Sequence, residues 1–585
     1  MGDTMQRRQF LSRLAKTNNT ANPQTVEKSS AAIAHPPSSN RATGAQSGIS
    51  LYGGAWTEKE MIHLLKRVMF GATKKDVDKI KGMSVSSAVD FLIDNPVQPD
   101  SPVNNYTIVG GTGATDTGGV AFGSSWIDAK LPDPTDATIR NTLNNNRLGN
   151  SFKPWWMGLM INQPTHILEK LTLFWSNHFG TDTANNNRPK AIYQHYKILR
   201  TYGLTNFKDL LKQVTIDPHM LYFLSGNNSS KPTPNENYAR ELQELFTVGK
   251  GTGSQYTEDD VKAAAKVLSG WQVPAQSTVD GTYTSIFTAS RHDTTTKTFS
   301  AFYGPAPNNV IASNGINEVD DLLNMILKTN ECAKYIVRRL YTWFVYYKIT
   351  PDIEASVITP LADIFRSSNY SIPIVLKALF KSEHFFDSFN YGGIIKSPVD
   401  LYVSLVRELD LVLAPAPVET KYTHWKFFSD RCSTEAQSIG DPPNVAGWPA
   451  YYVAETKFYE TWMSPATIQT KAKNLLSYSS KAGFKIGALT LKIDAAGFLK
   501  QFPVSDAGNA DIAIKKFNLY LLPMDLTAEQ ITFLRAKLIP PGEPDNYWTQ
   551  QWNNYLNSPS TNMAVAALLQ DIVIYMTGLA EYYLY

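Results

Sequence analysis

Apolar residues recur at three- and four-residue steps along most of the chain, which is the spacing of one buried helix face. The first such stripe, with Ile62, Leu65 and Val68, follows Thr57 and Glu60, which have the spacing of a capping box. The same reasoning predicts further helices at residues 165–179, 190–202, 207–215, 235–247, 257–268, 319–328, 331–347, 354–366, 372–381, 398–413 and 527–537.

Two stretches interrupt the helical pattern. Residues from about 100 to 150 are rich in Gly, Asn and Thr, which predicts a long irregular loop that could include a short strand pair. Residues from about 272 to 310 alternate Thr and Ser with aromatic side chains, which favours a small β-hairpin. We therefore predict a mainly α fold, with one large multi-helix domain over residues 51–585 that carries both insertions. Residues 1–50 are rich in Ser, Asn and Pro, and we expect a disordered arm.

Composition narrows the function classes. Hydrophobic residues make up 43% and aromatic residues 12% of the 585, which excludes a disordered chain. The 55 Lys and Arg against 52 Asp and Glu leave a net charge of +3, too even for a nucleic-acid-binding surface. No apolar run reaches the length of a transmembrane helix. Cys332 and Cys432 stand apart, which excludes a zinc ribbon. We expect two buried thiols, with a disulfide as the alternative.

The amino-terminal segment contains part of an export signal. Arg7 and Arg8, followed by Phe10 and Leu11, resemble a twin-arginine motif. The residues after Ser12 lack the apolar stretch that such a signal requires. The sequence therefore leaves both an exported and a cytoplasmic location open.

The predicted helix at residues 235–247 carries the densest set of candidate site residues. Its charged side chains fall on two adjacent ridges and comprise Glu236, Arg240, Glu241 and Glu244. Such carboxylates can hold a divalent cation or act as an acid–base set. The alternative is an exposed face on which Glu236, Arg240 and Glu244 form ion pairs at four-residue spacing.

Histidines elsewhere could complete such a site. His178 falls on the apolar stripe of its predicted helix, so it is either a hydrogen-bonded core histidine or a ligand or base. His292 and Asp293, with Lys297 nearby, lie in a polar loop where side chains can reach a site. With Glu241 and Glu244, the two histidines could form a mixed metal site. Otherwise Asp293 fixes a turn and His292 is exposed.

Two further groups have a structural and a functional interpretation. His63 and Arg67 are four residues apart on the first helix. They could form a surface pair or line a groove, and a packing role is favoured. Trp448 ends a proline-rich loop and is expected in the core rather than as a stacking platform. No nucleophile elbow or phosphate-binding glycine motif is present.

Several blocks together resemble a bacterial family known as domain of unknown function 1800. The blocks are His63–Arg67 with Phe70–Thr73, Glu169–Phe179, Asn235–Gly249, Tyr256–Val261, Ser269–Trp271, His292–Asp293 with Lys297, and Pro442–Pro449. The resemblance covers the chain from about residue 57 onward and implies no established activity. It implies frequent export of family members, and a neighbouring sulfatase-like protein of the family known as domain of unknown function 1501.

Two functional hypotheses follow. The first is a hydrolase-like or metal-binding protein of the bacterial envelope, whose site combines the acidic helix with His178, His292 and Asp293 and could hold a divalent metal. The second is a non-catalytic partner or chaperone of the sulfatase-like neighbour, which predicts an exposed aromatic surface. A carbohydrate-binding role would rest on aromatic content alone. The sequence does not decide whether the protein is an enzyme.

Overall fold

The structure is a computed structural model of the full chain. It describes residues 47–109, 112–129, 134–183, 187–277, 281–409, 411, 417–448, 462–487 and 489–585. The predicted disordered arm, the twin-arginine-like motif and the glycines at 110 and 111 lie outside the described residues.

Helices dominate the described part of the chain, which confirms the mainly α fold. In chain order they are α1 Glu58–Val68, α2 Lys74–Ile80, α3 Val85–Ile93, α4 Ala137–Asn145, α5 Lys153–Ile161, α6 Leu168–His178, α7 Pro189–Tyr202, α8 Phe207–Thr215, α9 Pro218–Phe223, α10 Glu236–Glu244, α11 Glu258–Val267, α12 Glu318–Leu327, α13 Asn330–Phe344, α14 Pro351–Ile353, α15 Thr359–Ser367, α16 Ile372–Phe380, α17 Pro398–Glu408, α18 Val418–Thr434, α19 Pro465–Tyr478, α20 Ala495–Leu499, α21 Val504–Ala507, α22 Ala510–Leu521, α23 Ala528–Leu538, α24 Tyr547–Asn557 and α25 Met563–Thr577.

The strands in the described ranges form four small antiparallel pairs. They are β1 Ile108–Val109 with β2 Thr112–Gly113, β3 Trp271–Gln272 with β4 Ile286–Phe287, β5 Lys297–Thr298 with β6 Val310–Ile311, and β7 Phe484–Ile486 with β8 Leu489–Leu491. The predicted hairpin at residues 272–310 thus corresponds to two successive strand pairs. β1 and β2 lie in the predicted loop region.

Local sequence rules explain where several helices begin. Thr57 caps α1 in a full capping box, as the sequence predicted, and Thr527 caps α23 in the same way. The predicted helix at 354–366 instead begins as a π-helical turn, Glu354–Ile358, before α15. Pro360 lacks an amide hydrogen, so it cannot donate the regular bond to the preceding turn.

Three helices form the centre of the protein and position the site described below. Every residue of α6 and of α17 is buried, and α1 is buried continuously from Met61 to Val68. Helices surrounded on all sides normally carry only apolar residues. These three also carry charged ones, which must find partners inside the protein.

The remaining structural predictions can be compared directly. Cys332 and Cys432 are both buried and free, so the two-thiol interpretation is confirmed and the disulfide alternative is wrong. No helix within the described ranges is both long and apolar enough to cross a membrane. All twelve tryptophans are described and none is exposed, so the aromatic content mainly fills the interior.

Candidate functional site

His178 is a core histidine at the end of α6. Its ring is fully buried and its Nε2 lies 3.1 Å from the carbonyl oxygen of Phe246, just beyond α10. The rings of Phe174 and Phe179 pack against it. Burial, reinforced by the positive charge of Arg339, holds the pKa of His178 well below its ordinary value, so the ring is neutral.

The charged side chains of α10 pair with residues outside that helix. Arg240 makes two hydrogen bonds of 2.6 Å to Glu258, at the start of α11. Glu244 pairs with Lys250 and accepts a hydrogen bond of 3.1 Å from the hydroxyl of Tyr256. The alternative of an ion-pair ladder along α10 is therefore wrong in its partners, because Arg240 and Glu244 pair with residues beyond this helix.

The other two carboxylates of α10 differ in their surroundings. Glu236 is exposed at the first turn. Glu241 is partly buried, and its Oε2 has no hydrogen-bond partner among the described residues. Burial and repulsion from Glu244 raise the pKa of Glu241. Glu241 is thus the one predicted site residue on α10 whose carboxylate is both partly desolvated and incompletely paired in the described structure.

His292 belongs to a separate buried ion cluster. Its Nδ1 lies 2.8 Å from the carbonyl oxygen of Ser269, and its Nε2 lies 2.9 Å from Oε1 of Glu318. Lys297 contacts the other oxygen of Glu318 at 2.6 Å. Asp293 accepts the backbone N–H of the residue two positions ahead, so it fixes a turn, which was the alternative to a role in the site. The alternative in which His292 is exposed is wrong, because only 2% of its surface is exposed.

The predicted site residues therefore occupy three environments: the core around His178, the outer face of α10, and the ion cluster of His292. No group of three or more His, Cys, Asp or Glu side chains in the described ranges is arranged to hold a metal ion. The mixed His and carboxylate metal site thus stays a prediction without geometric support in these ranges.

Other motif residues pack inside the protein. Trp448 is buried, and its backbone N–H donates to Oδ1 of Asn177 at 2.6 Å, which confirms its core position. His63 is buried with Nε2 3.1 Å from the carbonyl oxygen of Phe385, and Arg67 is fully buried. The surface-pair interpretation of His63 and Arg67 is therefore wrong.

A set of buried charges lies where α1, α6 and α17 approach one another. We call it the Lys396 cluster, and its members are Lys66, Arg67, Lys170, Lys396, Asp400 and Glu408. None is more than 5% exposed. Four cations stand against two carboxylates, so the cluster encloses more positive than negative charge in the interior.

The helices explain how these side chains come together. Asp400, Ser404 and Glu408 recur at four-residue steps on α17, so they share one ridge. Gly71, just after α1, has φ of +80°, and a Cβ there would lie 3.0 Å from Cα of Ser404. Only glycine lets the chain pass this close to α17, and this approach brings the end of α1 onto the ridge. Lys396 directly precedes Ser397, which caps α17.

Three of the four cations are engaged. Lys170 forms an ion pair with Asp400. Lys66 lies 3.0 Å from Glu408 and also donates to a backbone carbonyl. Arg67 donates one N–H to a carbonyl, but its Nε and Nη1 find no hydrogen-bond acceptor in the described part of the chain.

Lys396 is the exception in the cluster. Its Nζ has no hydrogen-bond partner among the residues that the structure describes and lies 4.3 Å from the ring centre of Tyr582. Burial lowers the pKa of Lys396 from 10.5 to about 8; Lys66 and Lys170 add to the lowering, while attraction to Glu408 and Asp400 opposes it.

Two small pockets lie beside this cluster. The inner pocket is lined by Lys66, Gly71, Lys396, Asp400, Ser404, Glu408 and Tyr585. The outer pocket shares Lys66 and Tyr585 with the inner one and is otherwise lined mainly by α1, α22 and the loop after α22. We call the two pockets together the Lys396 cleft.

Sequence reasoning missed Lys396, Asp400 and Glu408, although one local signal was available. Ser397 and Asp400 have capping-box spacing with a proline between them, which marks a helix start. A lysine immediately before a helix opposes the helix dipole, which favours anions at that end. Such a break of a local rule is a reason to look for a functional role.

Comparison with known proteins places the chain in a family without assigning an activity. A family model matches residues 63–575, most of the chain. No curated protein and no solved structure matches it. The matched range includes Lys66, Lys396, Asp400 and Glu408 and the predicted residues on α10, whereas Ile62 and Tyr585 of the cleft lie outside it. The chain belongs to the family described as Protein of unknown function (DUF1800).

Proposed function

We propose that this protein binds a small anionic ligand in the Lys396 cleft. The observation that carries the proposal is Lys396, which lines the inner pocket and whose buried amine has no hydrogen-bond partner among the described residues. Burying a charged group without a partner costs free energy, and an anion placed next to it would recover much of that cost.

The charge of the whole cluster supports an anion over a cation or a neutral ligand. Lys66, Arg67 and Lys170 are buried with Lys396, and only Asp400 and Glu408 oppose them. In a low-dielectric interior the excess positive charge acts strongly on a ligand. A cation at this place would meet repulsion from the same groups.

The outer cleft suggests that the ligand has an apolar part. Ile62, Leu522, Pro523 and Met524 line this region, and Tyr391 adds an aromatic ring. Binding sites for small molecules typically combine an apolar wall with a few polar groups that fix orientation. A carboxylate or phosphate with a short apolar body would match both parts of the cleft.

Thermal unfolding in the presence of anions tests the proposal. The probes are inorganic phosphate, acetate, glycolate and benzoate, each compared with chloride at equal ionic strength. A ligand that binds only the folded state stabilises it by about 2.7 kcal/mol at one hundred times its Kd. We expect at least one probe to raise the unfolding temperature of the wild type and not that of Lys396→Met.

Lys471→Met is the matched control. Lys471 is also buried and its pKa is also lowered to about 8, but its amine donates to the carbonyl of Trp462. The control should keep the response to anions. Equal responses of the wild type and Lys396→Met to every probe would contradict the proposal.

A divalent-metal or hydrolase-like site on α10 is the second candidate function, and the incompletely paired carboxylate of Glu241 favours it. Elemental mass spectrometry of the purified protein and of Glu244→Gln tests it. Stoichiometric metal that the variant loses would support this site, and a metal-free wild type would contradict it. Association with a sulfatase-like envelope protein stays a prediction, which co-purification of the two proteins would test.

A further inference from the structure

We propose that the end of α19 and the β7–β8 hairpin form a surface that binds the headgroups of anionic lipids. The stretch from Trp462 to Ile493 contains five lysines and neither aspartate nor glutamate. The near-neutral balance of the whole chain hides this local excess of positive charge. The surface shares no residue with the Lys396 cleft, so it adds a partner that the function proposed above does not include.

Four of the five lysines reach the surface of the protein. Lys471 is buried. Lys481 is about half exposed and pairs with a carboxylate of α25 at 2.8 Å. Lys473, Lys485 and Lys492 are exposed, and none of them forms an ion pair within the described ranges. Their charges are therefore available to a partner.

The helix end and the hairpin are joined as one unit. Lys473 and Leu476 occupy exposed positions three residues apart on α19, so they are neighbours on one helix face. The ring of Tyr478, the last residue of α19, packs 4.4 Å from the ring of Phe484, the first residue of β7. This contact fixes the hairpin directly after the helix that carries the first lysine.

The hairpin presents its lysines on the face opposite the core. Phe484 and Leu491 pair across the two strands and are both buried, so their face of the hairpin packs inward. Lys485 lies opposite Thr490, on the outer face, because side chains alternate along a strand. Lys492 follows Thr490 by two residues and is exposed like it. Both lysines thus belong to the outer face.

Few carboxylates lie beside these lysines. Asp571 is the partner of Lys481, and Asp494 caps α20 through the backbone N–H of Gly497. A further positive charge comes from Arg431 of α18, which lies over the ring of Phe427. That ring stacks on Phe484 of the hairpin at 5.8 Å. The positive charges therefore outnumber the negative ones, and an anionic partner is favoured.

Two exposed leucines favour a lipid surface over other polyanions. Leu476 is 61% exposed beside Lys473, and Leu489 is 39% exposed where β8 begins. A membrane interface offers an apolar layer for leucine and, just above it, phosphates that lysine can reach with its long stem. A nucleic acid offers phosphates to the lysines but no such layer to the leucines.

Sedimentation with lipid vesicles tests the surface. The vesicles consist of phosphatidylcholine alone or of phosphatidylcholine with about one third phosphatidylglycerol. We expect the full chain to bind only the vesicles that contain phosphatidylglycerol. Raising the salt concentration from about 0.1 M to about 1 M shortens the screening length from about 10 Å to about 3 Å, so most of the binding should be lost.

Two variants separate the charges from the apolar contact. Each lysine near an anionic membrane strengthens binding about fivefold, so Lys485→Gln combined with Lys492→Gln should weaken it about twenty-five-fold. Leu476→Gln should weaken binding about threefold or more, because it removes the apolar contact with the interface. All three positions are exposed, so the unfolding temperature should be almost unchanged.

Matched controls lie elsewhere on the protein. Lys197 and Lys328 are equally exposed lysines on other elements, and Leu51 is a leucine with 68% exposure. Lys197→Gln combined with Lys328→Gln, and separately Leu51→Gln, should bind vesicles like the wild type.

The outcomes are distinct. A wild type that ignores phosphatidylglycerol, or a double variant at Lys485 and Lys492 that binds as well as the controls, overturns the proposal. A single-stranded oligonucleotide that displaces the protein from vesicles, together with wild-type binding by Leu476→Gln, would reveal a general polyanion surface and overturn the assignment to lipid. Loss of binding in both variants and in neither control supports it.

Discussion

Replacing Lys396 by methionine should stabilise the protein at neutral pH. A residue whose role is ligand binding often makes the folded protein less stable, whereas a structural residue makes it more stable. Methionine keeps the length of the side chain and its contact with Tyr582, but it removes a buried charge that lacks a hydrogen-bond partner in the described structure.

The expected size follows from the pKa. The difference between 10.5 and about 8 corresponds to about 3 kcal/mol of unfavourable free energy while Lys396 is charged in the folded protein. The net expectation is a variant that is more stable than the wild type by about 3 kcal/mol at pH 7.

The sign of the pH dependence provides a second check. The folded-state pKa of Lys396 is lowered, so its cost is fully present below about pH 8 and disappears as the pH rises toward 10.5. Between pH 7 and pH 9.5, the free energy of unfolding of the wild type should therefore rise by about 2 kcal/mol relative to that of the variant. Urea unfolding at both pH values measures this. A variant less stable than the wild type at pH 7, with no convergence at pH 9.5, would refute the reasoning.

Three further predictions concern residues that the sequence singled out or their partners in the structure. His178 stays neutral in the folded protein, so the free energy of unfolding of the wild type should fall by about 1.4 kcal/mol between pH 7.5 and pH 5.5 because of this residue. His178→Phe should not show this loss, and urea unfolding at both pH values measures it. Glu318→Gln leaves Lys297 buried without its charge partner and should lower the free energy of unfolding by about 3 kcal/mol in the same assay. A loss smaller than about 1 kcal/mol would argue against a structural role for the His292 cluster. Arg240→Ala removes an ion pair at the surface and should leave the urea midpoint almost unchanged.

The helical architecture was predictable because it follows from local rules. The bounds of α8 agree with the prediction at both ends, since apolar spacing and the cap at Asn206 point to the same start. The helix predicted at 235–247 is too long, because α10 ends at Glu244. The hydroxyl of Thr247 donates to the carbonyl of Leu242 at 2.7 Å, which closes the helix end in a way that apolar spacing does not reveal.

The partners of charged residues were not predictable from spacing along one helix. Arg240 lies four residues from both Glu236 and Glu244, yet its guanidinium pairs with Glu258 on the next helix. The planar guanidinium binds both oxygens of one carboxylate best, and the packing of α10 against α11 offers that geometry. Such a choice depends on how two helices pack, which a single sequence does not contain.

The Lys396 cleft was out of reach for the same reason. Lys66 and Lys170 fall within or beside recognised motifs, but their carboxylate partners Glu408 and Asp400 follow more than 200 residues later. Apolar periodicity shows which helix faces are buried, not which buried faces meet. Lys396 itself contributes nothing to a periodic pattern, because it precedes its helix.

Calorimetry at pH 8 tests the central claim most directly. An anion next to Lys396 favours the charged amine, so binding should take up as much as about half a proton at that pH, where the amine is half protonated. Titration with the most stabilising anion in buffers of different ionisation enthalpy measures that uptake. We predict proton uptake in the wild type and in Lys471→Met. Binding with equal affinity and no proton uptake, or equal binding by Lys396→Met, would contradict an anion site at Lys396.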